Sequence, residues 1–141
     1  MKSILATLRD SGSFAVLLDL VQAAAMEERL SSKGPYTLFA PDDGAFGAVP
    51  EQELDALRED TARLAGVLNH HIVPGVHSML DLLGIRVLRS LEGGDLTVEV
   101  TREGVLVNNV PIVESDAWCT NGICHAVSAL LLPPGARKVA A

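Results

Sequence analysis

The spacing of apolar positions changes part-way along the chain. From Phe14, apolar residues recur at Leu17, Leu18, Val21 and Ala25, the spacing of a helix with one apolar stripe. Ser13 stands where an N-cap is wanted, and Gly34-Pro35 closes this region. Tyr36 to Ala40 is a short apolar run stopped by Pro41, which predicts a buried strand. Pro50 suits the first turn of a helix reaching to about Arg58. Asp60 or Thr61 can cap another helix that turns Leu64, Val67 and Leu68 inward, and Ser78 can cap a third that stops at Gly84.

From Arg86 onward the period is two. Leu96, Val98 and Val100 alternate with Thr97, Glu99 and Thr101. Glu103-Gly104 and Asn108-Asn109 turn the chain into Val105 to Asn108 and then Val110 to Val113, and Asn121-Gly122 is the strongest short-range hairpin signal. A helical first half followed by a strand-rich second half predicts an α+β fold rather than alternating βαβ units. The expected packing is a meander of mostly antiparallel strands with a layer of helices against it.

Two thiols fall beside the Asn121-Gly122 turn. If those two residues form the turn, Cys119 faces Cys124 in a non-hydrogen-bonded pair with Cα atoms about 4.5 Å apart. That lies within the range of about 4.4–6.8 Å that a disulfide accepts. A bridge between Cys119 and Cys124 is then expected to be able to form under oxidising conditions; the alternative is two small thiols filling strand positions. Its loop would be tiny, so the gain belongs at the low end of roughly 2–4 kcal/mol.

Length and composition narrow the class. The 141 residues are 48% hydrophobic, 21% charged and 4% aromatic, which suits one domain spanning 1–141 with a core of its own. The net charge of -7 repels phosphate backbones, and no basic patch with interleaved aromatics occurs, so nucleic acid is not an expected partner. The apolar stretch from Phe14 to Met26 is interrupted by Asp19 and Gln22 and falls short of the about 20 residues that a membrane span needs. Near the N-terminus Lys2 imitates a signal-peptide n-region, but Arg9 and Asp10 break the apolar run. No cleavable signal is expected, which leaves an intracellular chain or a mature, trimmed one.

Candidate chemistry is sparse. Asp42 and Asp43 after Pro41 read as helix caps, in preference to an acid/base pair or a cation site, because the spacing of a calcium loop is missing. His70, His71, His77 and His125 invite a metal, but no H-x-x-x-H or C-x-x-C spacing supports one, and strand neighbours such as His70 and His71 should point to opposite faces. His71 and His125 are expected instead to be partly buried and hydrogen-bonded, which would make stability depend on pH. No nucleophile elbow, phosphate loop or dinucleotide fingerprint occurs, and Cys124 and His125, adjacent on a strand, should diverge. No catalytic residue, metal or other cofactor is therefore expected. Trp118, the lone tryptophan, is either an apolar lid over a sheet end or a contact anchor.

Three segments carry a family resemblance. Thr37-Leu38-Phe39-Ala40-Pro41-Asp42-Asp43-Gly44-Ala45-Phe46 is close to the first signature of the fasciclin-like (FAS1) domain. Leu68-Asn69-His70-His71-Ile72-Val73-Pro74-Gly75 is similar to its central L-x-Y-H-V-V-P-G. Asn121-Gly122-Ile123-Cys124-His125-Ala126-Val127, with Leu130-Leu131-Leu132-Pro133-Pro134 after it, resembles its second signature. Order and spacing agree over nearly the whole chain, which resembles a bacterial-type single-domain member. His70 replaces the usual tyrosine and Ser128 a common aspartate. His71 and His125 match the family histidines.

The resemblance implies a β-wedge with packed helices and a non-enzymatic role in adhesion at a cell surface or in extracellular matrix. Implied partners are a surface or matrix protein or a glycan, or a second copy of the chain. The implied location is secreted, periplasmic or cell-surface. Glu114-Ser115-Asp116-Ala117-Trp118 corresponds to a segment linked to integrin contact in animal matrix members, matching at Glu114 and Asp116 and departing at Ser115 and Trp118. By this analogy Glu114, Asp116 and Trp118, with His70 and His71 nearby, form the candidate partner surface, and Pro41, Asp42, Asp43 and His125 are structural. The alternative is a carrier for a small apolar ligand lodged between helices and sheet, which needs a pocket of about 300 Å³ or more. A metal-dependent or thiol enzyme ranks last.

Overall fold

A computed structural model of the chain describes residues 2–32 and 34–131; Leu132, Pro133 and Pro134 of the third family segment lie outside them. The helices are α1 (Ile4–Ser11), α2 (Ala15–Ala23), α3 (Glu27–Ser31), α4 (Asp43–Gly47), α5 (Glu51–Glu59), α6 (Thr61–Asn69) and α7 (Met79–Leu82). The strands are β1 (Tyr36–Pro41), β2 (Ile72–Pro74), β3 (Val87–Arg89), β4 (Asp95–Thr101), β5 (Gly104–Val107), β6 (Val110–Cys119) and β7 (Gly122–Val127). They form one sheet in the order β2-β1-β7-β6-β5-β4-β3. The β1–β7 pair is parallel and the other pairs are antiparallel. The amide of Leu91, just beyond β3, donates to the Ile72 carbonyl of β2 at 2.8 Å, so the sheet nearly closes on itself.

The α+β class and the helices from Glu51 onward agree with the sequence pattern, and the N-terminal third departs from it. Ser3, not Ser13, opens the first helix: its side chain accepts the Ala6 amide, and Gly12 ends α1 in the left-handed region at φ 75°. An eight-residue helix is marginal alone, so buried Ile4, Leu5 and Leu8 must hold it on the core. The helix after Phe14 stops at Ala23, well before Gly34-Pro35. Its end is a Schellman turn in which Ala25 (φ 56°) takes the left-handed position, Ala25 N bonds Gln22 O and Met26 N bonds Val21 O. Alanine in a place that favours glycine hides this stop.

Every residue of β7 is buried, as are the residues of β1 after Tyr36. A parallel pair covered on both faces demands mostly apolar character, which both segments have apart from Thr37 in β1 and His125 in β7, both buried and hydrogen-bonded. The alternation of side chains then splits the interior in two. Leu38, Ala40 and Cys124 face a core built with α1 to α6, while Phe39 and Val127 face a second core with Val73, Leu82, Leu96, Val98 and Val107. Asn121 knits the first core together at the β6–β7 turn: Oδ1 accepts the Ile4 amide at 2.9 Å, and Nδ2 donates to the carbonyls of Leu30 and Ser32 at 2.9 and 2.7 Å.

That turn differs from its predicted register. Cys119 pairs with Gly122, Trp118 with Ile123 and Ala117 with Cys124, so the two turn residues are Thr120 and Asn121. Cys119 and Cys124 are thus diagonal, not opposite. The cause is packing against β1: a Cβ on Gly122 would overlap the Tyr36 carbonyl, so the glycine must lie in the ladder beside β1 and cannot round the turn. The Arg102–Glu103 turn is likewise one residue earlier than expected, since Thr101 pairs with Gly104. Asn108 and Asn109 do form a turn, both at positive φ (50° and 66°).

Candidate functional site

The family segments converge on one side of the sheet through buried polar groups. His125 projects from β7 beneath Phe39, with ring centroids 5.6 Å apart. Its Nε2 donates to the His77 carbonyl at 2.7 Å, and its Nδ1 accepts the Asp116 amide at 3.2 Å, which fixes a neutral ring protonated on Nε2. Burial pushes its pKa down, partly offset by the His77 carbonyl and by Asp116. Asp116 lies at a bulge of β6 with φ 59°, and its Oδ1 accepts the Met79 amide of α7 at 2.8 Å. Ser78 and Asp81 close a capping box on the same helix end. Thr37 continues the chain of bonds: its Oγ1 accepts from His77 N and donates to Gly75 O. The segment from Gly75 to Met79 is thereby pinned to β1, β6 and β7.

His70 and His71 do not occupy a strand. They form the turn that leads from α6 into β2, and both are fully buried, so neither offers a surface to a partner. His71 Nδ1 donates to the Val67 carbonyl and its Nε2 accepts the Leu131 amide, each at 2.8 Å. Burial lowers its pKa to about 4, with the Val67 carbonyl opposing and His70 assisting. His70 Nδ1 lies 3.2 Å from Ser90 Oγ, whose proton goes to the Gly94 carbonyl. The ring sits so close to Gly94 that a Cβ there would come within 2.9 Å of it. Both rings therefore act as internal struts. Asp42 Oδ1 caps α4 through the Ala45 amide at 2.8 Å, and Pro41 ends β1 just before it.

What faces outward is the second half of β6. Among the described residues the β5–β6 ladder reaches only Val110 and Pro111, so Ile112–Cys119 is paired on one side, by β7. Glu114 and Trp118 are exposed there and Asp116 is half-buried. Trp118 is 54% exposed, Val113 51%, and Leu80, next to the Met79 amide that Asp116 holds, 77%. Val113 and Leu80 escape a reading of the sequence, because isolated apolar residues in an amphipathic pattern are read as core. An acidic residue followed by a positive-φ bulge leaves little trace beyond the Ser115-Asp116 pair itself.

No group of three or more His, Cys, Asp or Glu side chains placed to hold a metal occurs among the described residues, and no described helix is long and apolar enough to cross a membrane. Cys124 and His125 face different cores, so they do not converge on a common substrate position. A groove of about 670 Å³, open to solvent, runs between the end of α7 and strands β3 and β4, with Leu83, Ile85, Val87, Val98 and Val100 in its walls.

The sequence model of the fasciclin domain matches residues 12–133. This chain belongs to the fasciclin family. Transforming growth factor-beta-induced protein ig-h3 of Oryctolagus cuniculus is 33% identical over 135 residues, 96% of this chain and 20% of that protein. The fasciclin chain thus spans about a fifth of that relative's length. Protein sll1735 of Synechocystis is 34% identical over 119 residues, 84% of this chain and 89% of its own length. Cell surface glycolipoprotein MPB83 of Mycobacterium bovis is 33% identical over 101 residues, 72% of this chain and 45% of that one. A FAS1 domain pair from the insect cell adhesion molecule fasciclin I has the same fold, with a TM-score of 0.76 over 99% of this chain and 53% of the pair at 18% identity.

Proposed function

We propose that this fasciclin domain is a non-enzymatic interaction module of the cell surface or extracellular space, which binds a surface or matrix partner through β6. The observation that carries the reading is Trp118, more than half exposed on the stretch of β6 that, among the described residues, is paired on one side only. Trp is favoured as an interface anchor because it buries a large area at small entropic cost. Val113 and Leu80 add apolar area, while Glu114 and the net charge of -7 favour a partner with a basic rim. Asp116 serves this surface indirectly, by fixing the bulge and α7. The likeness to a protein named as a cell surface glycolipoprotein supports the location.

The test is adhesion of cells, matrix proteins or glycans to immobilised protein, compared between wild type and Trp118→Ala. Lost adhesion with an unchanged melting temperature is the expected result. Equal adhesion by both proteins would remove β6 as the contact surface.

A second reading, a carrier of a small apolar ligand, is favoured by the groove beside α7, whose volume exceeds the about 300 Å³ that such ligands need. Native mass spectrometry of freshly purified protein distinguishes it by a bound, extractable mass.

A further inference from the structure

Gly122, which faces Cys119 across the β6–β7 ladder, contributes no side chain. Cys124 stands two residues further along β7 and on the same face. Cys119 can therefore lean diagonally over the glycine, and the two sulfurs lie 3.9 Å apart. Both residues are buried, yet their settings differ. Cys119 ends β6 beside the exposed Thr120, whereas Cys124 lies mid-strand in β7 between β1 and β6. Cys119 Sγ also lies 3.4 Å from Thr7 Oγ1 of α1 and 3.3 Å from the Ala117 carbonyl. The Thr7 hydroxyl and the Cys124 thiol can both donate to a thiolate on Cys119.

We propose that Cys119 and Cys124 form a redox-closable pair, in which Cys119 exchanges with a small-molecule disulfide and Cys124 resolves the product into a bridge within the chain. Closure brings the sulfurs to about 2.05 Å, a movement that a change at the end of β6 can supply. With glutathione disulfide, the Cys119 thiolate attacks one sulfur, forms a Cys119–glutathione bond and expels a glutathione thiolate. Cys124 then gives up its proton and attacks Cys119 Sγ, and the second glutathione thiolate leaves. The two protons released by the cysteines end on the two glutathiones; two protein thiols are oxidised and one small disulfide is reduced. The Cys119 thiol is held below its usual range by its neighbour Cys124, whereas Cys124 is pushed up by Cys119 and by burial, which assigns the first attack to Cys119. The bridge staples the end of β6, beside Trp118, to β7.

Folded, reduced protein incubated with mixtures of oxidised and reduced glutathione tests this by intact mass after acid quenching. The wild type should lose two hydrogens, carry no adduct and return to two thiols with dithiothreitol. Cys124→Ser should accumulate one glutathione on Cys119, and Cys119→Ser should stay unmodified over the same period. The proposal is overturned if the native chain keeps both thiols in mixtures that oxidise it in urea. It is also overturned if oxidation links two chains, or if Cys119→Ser gains its adduct as fast as Cys124→Ser.

Discussion

Asp43 caps a helix to which it does not belong: its Oδ1 accepts the Val16 amide at the start of α2, at 2.9 Å, while its own amide donates to Ser13 O. Its neighbour Asp42 caps α4. The adjacent carboxylates of the first family signature thus each satisfy a different helix N-terminus, and α2 and α4 are tied together through one dipeptide. Asp43→Ala should cost about 1 kcal/mol, as the loss of an N-cap does, and Asp42→Ala a similar amount. Asp43→Asn, which keeps the accepting oxygen and loses only the charge near the helix dipole, should cost no more than about 1 kcal/mol. Urea unfolding of the three variants checks the order. If the pair held a cation instead, calcium would raise the wild-type midpoint; no shift is expected.

At Asp116 the fold and the partner surface can be separated. The residue combines a left-handed backbone with a cap on α7. Asn tolerates that conformation and can still accept the Met79 amide, so Asp116→Asn should stay within about 1 kcal/mol of wild type. Asp116→Ala loses the cap and adds strain of roughly 1 kcal/mol, for a total of about 2 kcal/mol. Denaturation curves measure both. Lost adhesion in the well-folded Asn variant would assign the carboxylate itself to the partner contact.

These two aspartates also mark how far the sequence can be read. Asp42, Asp60 and Ser78 are local caps, legible because an N-cap accepts an amide three residues ahead of it. Asp43 and Asp116 cap helices 27 and 37 residues away in sequence, and no periodicity records such a partner. The helices from Pro50 to Gly84 and the alternation in β4 are visible as patterns. The family motifs mark β1, the α6–β2 turn and β7, and the burial of His71 is expected from them, yet they do not say that His70 also lies inside rather than on a surface. The hairpin at Asn121-Gly122 is visible too, but its predicted register is wrong, because the preference for Asn-Gly in a two-residue turn yields to the need for a glycine beside the Tyr36 carbonyl.

That need yields a sharp prediction. Gly122 sits at φ 153° at the start of β7, between β1 and β6, where a Cβ would overlap the Tyr36 carbonyl. The obstacle is backbone, so no side-chain rotation relieves it. Gly122→Ala should destabilise the domain by more than about 3 kcal/mol or prevent folding, at the severe end for a single substitution. Gly47→Ala, with nothing within 4 Å of the added carbon and an ordinary φ, should be neutral or slightly stabilising. Melting temperatures of the pair suffice, and a Gly122→Ala variant as stable as wild type would contradict the observed register.

The buried histidines set the direction of the pH dependence. His71 is held neutral by burial, with its pKa at about 4 against an ordinary 6.5. The unfolded chain therefore binds a proton between pH 6.5 and 4 that the folded chain refuses. Stability is full above pH 6.5 and falls as the pH drops through that window, by up to about 1.4 kcal/mol per pH unit and roughly 3 kcal/mol in all from His71. His125, also lowered by burial, acts in the same direction. Groups that become protonated on both sides of the equilibrium contribute nothing to this slope. In His71→Gln one such proton is removed, so the unfolding free energy between pH 6.5 and 4 should decline less steeply than in wild type, from a starting value already lower because the Leu131 amide loses its acceptor. Equal slopes for the two proteins would mean that His71 titrates normally inside the folded domain.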